Sequence, residues 1–310
     1  MNKLAIVIPA YKSQFIKAAL DSICNQTNLN FSLYVGDDHS PENLEGIVSL
    51  YSDKVNLTYK RFDENLGGNN LVSHWNRCIE LTQGEEWVWL FSDDDIMDST
   101  CVENFYHSLS LDDSFNIYHY NINVIDKDDN ILLVGAEFPS VMTTQDFLLE
   151  RSAGRIKSYV VEYIFNRKIL DRTSGFIDFP TAWHSDEATV LHASKCLGIK
   201  TIDNCKVNWR YSAYNITPNL SEKKIVDKKV QASLEFSIWV HNFFMDNNTR
   251  LSVTSYYHLI NRFVYELFTY RKVYSFDEIK GFLKKYLNNL NILKFYPLAL
   301  MKFILYKLVK

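Results

Sequence analysis

Along roughly the first 90 residues, short apolar runs alternate with segments in which apolar side chains recur every three to four positions. The runs at residues 3–9, 31–36, 55–62 and 87–91 are too short for buried helices and rich in β-branched and aromatic side chains, which predicts strands. Between them Phe15, Ala18, Ala19, Ser22 and Ile23, and later Leu71, Trp75, Cys78, Ile79 and Leu81, fall at helical spacing. Such alternation predicts βαβ units and a mostly parallel sheet covered by helices, an α/β fold. Further on, residues 116–123 and 131–134 read as strands around Asp126-Lys127-Asp128-Asp129-Asn130. That turn is a solvated hairpin, since the glycine and terminal glutamate of an EF-hand loop are missing. Residues 206–212 read as one more strand. From Ser221 the pattern changes to long amphipathic helices at 224–246, 254–272 and 276–290, with a last piece after Pro297. The expected division is an α/β domain over 1–220, with halves 1–95 and 96–220, followed by a helical region over 221–310.

Composition narrows the class. A chain of 310 residues that is 47% hydrophobic can bury a sizeable core. Its net charge of -4, with no long Lys/Arg-aromatic tract, argues against a nucleic-acid partner. The five cysteines show no CxxC spacing and are odd in number, as expected of reduced thiols in a cytoplasmic protein. The apolar start ends at Pro9 without a cleavage site, so it reads as a strand and not a signal peptide. No run reaches the roughly 18 apolar residues of a membrane span. Between Ile279 and Lys310 there are seven lysines and no acidic residue. Together with Leu298, Met301, Phe303, Ile304, Leu305, Leu308 and Val309, they suit residues 294–310 to an anionic membrane surface, peripheral at the inner face of the plasma membrane, or to a homo-oligomer contact.

The candidate chemistry lies at strand ends. Asp93, Asp94 and Asp95 follow the strand that finishes at Phe91. Carboxylates so close repel one another, and stay ionised together only with a divalent cation, an arginine or a proton nearby. An Asp-rich turn capping a helix from about Ser99 is the structural alternative. Carboxylate oxygens suit Mg2+ or Mn2+, and open α/β sheets bind ligands beyond the carboxyl ends of their strands. Strand one ends in Pro9-Ala10-Tyr11 and strand two in Gly36-Asp37-Asp38-His39-Ser40, which brings ligand-grade groups to the same edge. A tyrosine ring can stack on a base, and a carboxylate can accept from a base N–H or a ribose hydroxyl; capping by Asp37, Asp38 and Ser40 is the alternative. Asn65-Leu66-Gly67-Gly68 lets backbone approach a ligand. Neither a P-loop nor a G-x-G-x-x-G is present.

Taken together, Ile6-Val7-Ile8-Pro9-Ala10-Tyr11, Asp37-Asp38-x-Ser40, Asn65-x-Gly67 with Asn76, and Gly84-Glu85-Glu86-Trp87 leading to Ser92-Asp93-Asp94-Asp95 resemble the nucleotide-binding half of glycosyltransferase family 2, which has the GT-A fold. The resemblance implies inverting, metal-dependent transfer of one sugar from a nucleotide-sugar, with UDP-sugars foremost, to a glycan or lipid-linked acceptor. It implies a donor pocket of Pro9, Tyr11, Asn65 and Gly67, with Asp38 on the base, Asp93 near the ribose and Asp94 on the metal. Asp95 could share that metal, because the family's D-x-D reads here as three adjacent aspartates. The family's general base lies about 90 residues later at a helix start, which matches Asp186, with Glu187 next in line; a helix cap explains the same position. Trp183, His184 and Glu187 are candidate acceptor contacts. Arg210 can meet phosphate as a fork, or form a surface ion pair. The Q-x-x-R-W motif of processive members is missing. Bacterial surface-polysaccharide assembly is the setting the resemblance implies. The rival readings are a nucleotidyltransferase, which would need a Gly-rich loop after strand one, and a non-catalytic scaffold, which has no reason to keep Asp38, Asp93, Asp94 and Asp186.

Overall fold

The computed structural model describes residues 3–211, 221–247 and 249–309, without the side chains of 307–309. The chain forms two compact units. One comprises Met1–Thr144, Lys157–Asp178 and Thr189–Ser212; the other comprises Gln145–Ile156, Phe179–Ala188 and Ala213–Lys310. The expected boundary at residue 220 lies outside the described residues, and no single cut separates the units because two short segments ahead of it cluster with the later helices.

The first unit holds one sheet of ten strands: β1 Leu4–Ala10, β2 Phe31–Asp37, β3 Asn56–Arg61, β4 Trp87–Leu90, β5 Ile96–Met97, β6 Ile117–Ile125, β7 Ile131–Val134, β8 Val141–Met142, β9 Tyr163–Asn166 and β10 Ile199–Arg210. Their order is β3-β2-β1-β4-β9-β6-β10-β5, with β7 on β6 and β8 on β10. β1 to β4 pair in parallel, as does β6 with β10, while β9 runs antiparallel between β4 and β6. β1, β2 and β4 are buried almost throughout, as parallel strands covered on both faces must be. Among the covering helices, Leu71–Ile79 packs close to β2 because Gly36 lacks a side chain: a Cβ there would lie 2.3 Å from Cys78 Sγ.

Besides β5 and β8, whose two residues each are too few to show a pattern, two strands differ from expectation. β9 has only four residues, all buried, and so has no alternation to announce it. β10 begins at Ile199 instead of 206. Its register shifts between Ile202 and Lys206, and Asn204 has φ 67°, so Asp203-Asn204 imitates a turn while bulging inside a strand.

The second unit is built on helices Lys223–Asp246, Val253–Thr269, Phe276–Asn289 and Tyr296–Val309, close to the positions the periodicity predicts. Ser252 caps the second by accepting from Ser255 N, and Ser275 with Glu278 forms a capping box on the third. Phe263 stacks on Tyr286 at 4.0 Å in their shared core.

Candidate active site

In the first unit the ends of β1, β2 and β4 are tied together by side chains the sequence singled out. Asp93 accepts from the backbone N–H groups of Tyr11 at 2.8 Å and Lys12 at 3.0 Å. Ser40 Oγ donates to Tyr11 O at 2.6 Å, and Asp38 N donates to Ala10 O at 2.9 Å. The Tyr11 ring is left 40% exposed at this edge. Asp38 is buried. It accepts from Leu66 N at 2.8 Å, from Gly67 N at 2.9 Å and from Arg77, and its own carbonyl accepts from Asn65 Nδ2 at 3.2 Å. Asp38 is thus the anchor of the 65–68 loop. Gly67 must be glycine there, since a Cβ would come within 2.7 Å of Asp38 Oδ2.

The three aspartates diverge. Asp93 turns to the β1 end, and Asp95 turns inward, where Oδ1 accepts from Arg210 N at 2.6 Å. Asp94 lies between them with Ser92 Oγ bonded to it. Burial, followed by the neighbouring Asp94 charge, pushes the Asp93 carboxyl up to about 6. The same two causes raise Asp95 well above the carboxylate range, and burial raises Asp94. Among the described residues no group of three or more His, Cys, Asp or Glu side chains stands ready to hold a metal ion, so these aspartates form no protein cage. They fit a hard cation that takes one or two carboxylates and completes its shell with water and substrate phosphates. Asp95 Oδ2, buried and without a hydrogen-bond partner, is consistent with that need for positive charge.

Arg210 departs from the expected phosphate fork or surface ion pair. It is fully buried, donates through Nε to Asp94 O at 2.7 Å and through NH1 to Asp126 O at 2.8 Å, pairs with Asp129 at 2.6 Å and lies over Phe15. It clamps the aspartate turn to the 126–130 hairpin, and the burial that makes it a clamp withdraws it from solvent.

In the second unit Asp186 and Glu187 open the helix Ser185–Ser194. Asp186 is half-buried, and its Oδ1 accepts from Glu187 N at 2.8 Å. Glu187 and His184 do not face solvent as acceptor contacts would. Glu187 is buried and takes both arms of Arg262 at 2.8 Å each. Against the opposing effect of burial, that guanidinium holds its carboxyl well below the usual range. His184 is buried, with Nδ1 3.1 Å from Glu187 Oε2 and Nε2 3.1 Å from Ser233 Oγ, and burial pulls its imidazole down to about 4. Trp183 is half-buried beneath Lys229 Nζ, which lies 4.7 Å from the ring centre. Periodicity missed Arg262, Ser233 and Glu266. Arg262 and Glu266 do carry a signal: they are charged residues four apart on a helix whose Leu259, Phe263 and Leu267 are core.

Residues 5–151 match the family model described as glycosyl transferase family 2. That stretch belongs to glycosyl transferase family 2. An uncharacterised glycosyltransferase of Rickettsia typhi is 30% identical over 135 residues, which are 43% of this chain and 36% of that protein. The poly(ribitol-phosphate) beta-N-acetylglucosaminyltransferase TarS of Staphylococcus aureus is 30% identical over 103 residues, 32% of this chain and 18% of TarS. The chain therefore spans only about a third or less of the length of these relatives. Among solved structures, S. aureus TarS 1-349 in complex with UDP-GlcNAc superposes with a TM-score of 0.58 at 14% identity, covering 96% of this chain and 92% of that one. The mannosyltransferase PcManGT from Pyrobaculum calidifontis in complex with GDP-Man and Mn2+ gives 0.53 at 14%, covering 97% and 87%. The fold is GT-A, with helices following the sheet. Within the family 2 stretch Pro9, Tyr11, Asp38, Asn65, Gly67, Asp93 and Asp94 gather at one sheet edge, whereas Asp186 and Glu187 belong to the other compact unit.

Proposed function

We propose that this chain is an inverting glycosyltransferase that moves one sugar from a nucleotide-sugar to a hydroxyl of a glycan or lipid-linked acceptor. The observation that carries the reading is the Asp93 carboxylate bonded to Tyr11 N and Lys12 N, with Asp94 beside it. It fixes an exposed ring and a carboxylate pair at the strand ends where nucleotides bind in open α/β sheets. In this reading the Tyr11 ring stacks on the base, Asp93 lies near the ribose, and the loop anchored by Asp38 closes over the nucleotide. Asp94, backed by Asp95, would hold Mn2+ or Mg2+, which when bound would supply positive charge to the diphosphate leaving group. TarS, solved with UDP-GlcNAc, and PcManGT, solved with GDP-Man and Mn2+, support a nucleotide-sugar donor and a divalent metal.

Asp186 is the general base. Glu187 is consumed by Arg262, and His184 by Glu187 and Ser233, so neither supports that role. The acceptor oxygen forms its bond to the anomeric carbon while the bond to the diphosphate breaks, and the hydroxyl proton passes to Asp186. A single displacement inverts the centre. TarS is named for transfer of N-acetylglucosamine to poly(ribitol-phosphate), which supports a polymeric acceptor; a surface-polysaccharide route reached from the cytoplasmic side is part of the same reading. Peripheral docking on anionic lipid through residues 294–310 is part of the same reading. The helix Tyr296–Val309 exposes Leu298, Met301 and Leu305 at helical spacing, and among the described residues no helix is long and apolar enough to cross a membrane. The side chains of Lys307, Leu308, Val309 and Lys310 lie outside the described residues.

The test is release of free UDP from UDP-sugars with and without acceptor, for the parent and for Asp186→Asn. Asparagine caps a helix as well as aspartate does but cannot take a proton, so turnover should fall roughly 10²–10⁴-fold with UDP binding retained. Turnover at the parental rate would remove Asp186 from the mechanism. Conversion of UDP-sugar and added pyrophosphate to UTP and a sugar 1-phosphate, with no UDP released, would point to a nucleotidyltransferase.

A further inference from the structure

The turn that leads into Asp186 is held in an unfavourable backbone. Thr181, Ala182 and His184 have φ of 58°, 57° and 72°, a left-handed region that non-glycine residues seldom enter and β-branched threonine least of all. Such a turn persists only when its surroundings over-determine it. Phe179 N donates to Ser185 Oγ at 3.0 Å across the turn. The His184 ring lies parallel to Phe236, with centroids 4.4 Å apart. Ser233 Oγ donates its single proton to Glu266 at 2.8 Å, so its lone pair faces Nε2 of His184 at 3.1 Å. The other ring nitrogen, Nδ1, lies 3.1 Å from Glu187 Oε2 and 3.3 Å from Arg262 NH2. The same guanidinium grips Glu187 by two parallel bonds, a geometry that a lysine cannot copy. Arg262 thus holds the residues on both sides of Ser185 and Asp186 at once.

We propose that His184, Glu187 and Arg262 are positioning residues, which lock the left-handed turn at 181–184 and so fix the direction in which Asp186 leaves the start of its helix. This rests on the reading of Asp186 as the base. None of the three touches a reacting atom in this scheme. Their loss leaves the base chemically intact and aims it badly, a fault that appears in turnover and not in donor binding.

Three variants of the 310-residue chain test the lock: His184→Ala, His184→Asn, and the pair Arg262→Met with Glu187→Gln, which removes both partners of the buried ion pair together. Asparagine enters the left-handed region readily and keeps a polar side chain, so it is the conservative replacement. Three readouts are needed: amide hydrogen exchange over residues 179–188, calorimetric affinity for UDP with manganese, and UDP released at saturation from UDP-GlcNAc, UDP-glucose and UDP-galactose offered together. In the paired variant and in His184→Ala, exchange should quicken about tenfold and turnover fall about tenfold, with UDP affinity within about twofold of the parent. His184→Asn should recover most of both losses. The proposal is overturned by native-like exchange and turnover in His184→Ala, by a fall in UDP affinity equal to the fall in turnover, or by an asparagine variant no better than alanine. Should the paired variant fail to fold, the two histidine variants still decide. Parental turnover in Asp186→Asn would sink the base assignment alone, because exchange over 179–188 reads the lock without any reaction.

Discussion

In the first unit Asp94 and Asp95 lie side by side, and burial pushes both carboxyls above their ordinary range. In the second unit Glu187, as buried as Asp95 and more so than Asp94, is held far below that range because Arg262 meets both of its oxygens. Burial is common to the two places, and the supply of positive charge is what differs. A buried carboxylate with its own guanidinium is complete and can serve as framework. Asp94 and Asp95, which feel the charges of Lys12 and Arg210 yet stay above their ordinary range, keep an electrostatic demand that a ligand's metal can answer. The same residue type therefore does receiving work in one unit and holding work in the other.

The largest expected effect breaks the holding side. Arg262→Met alone strands the Glu187 charge and should cost about 3–5 kcal/mol of unfolding free energy in urea, most of it recovered when Glu187→Gln is added. An equal loss in the single and paired variants would mean that packing, not charge, makes the difference.

A second effect is set by pH. The folded state keeps His184 neutral down to about 4, against an ordinary value of 6.5, so between these values the unfolded chain binds a proton that the folded chain does not. Stability from this group is fully present above pH 6.5 and is lost as pH falls toward 4, by on the order of 3 kcal/mol. His184→Asn lacks the term. The gap in melting temperature between parent and variant should be wide at pH 7.5 and narrower at pH 5, and a gap independent of pH contradicts the burial of a neutral ring.

On the receiving side the sign reverses. Asp94→Asn removes a disfavoured charge and should raise stability in chelator by about 0.5–2 kcal/mol, the usual gain when a functional site is neutralised. It should also abolish the rise in melting temperature that manganese with UDP gives the parent. Destabilisation in chelator would show that Asp94 is framework after all.

The smallest effect concerns cations that lack carboxylates in their own segment. Lys284, Lys285 and Lys294 lie in a stretch without acidic residues. Each lysine near an anionic surface contributes about 1 kcal/mol, so Lys294→Glu should weaken flotation with phosphatidylglycerol vesicles several-fold at low salt. Flotation indifferent to both salt and charge reversal would leave those lysines as solubilising surface.

Much of the parallel half was legible because β1, β2 and β4 are continuous apolar runs and their ends carry groups with few structural uses in such number. The cross-links behind them were not. Arg210 reads as a surface-capable arginine until Asp94, Asp126, Asp129 and Phe15 are seen around it. Nothing local pairs Arg262 with Glu187, which lies 75 positions earlier in the chain. Helical periodicity reads which face is buried, and a charged side chain on that face becomes meaningful only once its partner is known. Asp186 was legible as a position, yet capping and proton transfer put the same residue there, so sequence alone left the choice open.

The antiparallel strand β9 has a consequence for how the chain is made. β4 pairs on one side with β1, which precedes it, and on the other with β9, whose residues Tyr163–Asn166 are translated much later. At about 5–20 residues per second the ribosome needs roughly 4–15 s to travel from the end of β4 to the end of β9. During that interval an aromatic strand of Trp87, Val88, Trp89 and Leu90 has one unpaired edge, the kind of template on which nascent chains associate. A fragment that stops after residue 95 would carry this edge permanently. Although the nucleotide-binding motifs all lie before that point, such a fragment should be sticky instead of self-sufficient, and in the cell the edge would call for a chaperone until the later strand arrives.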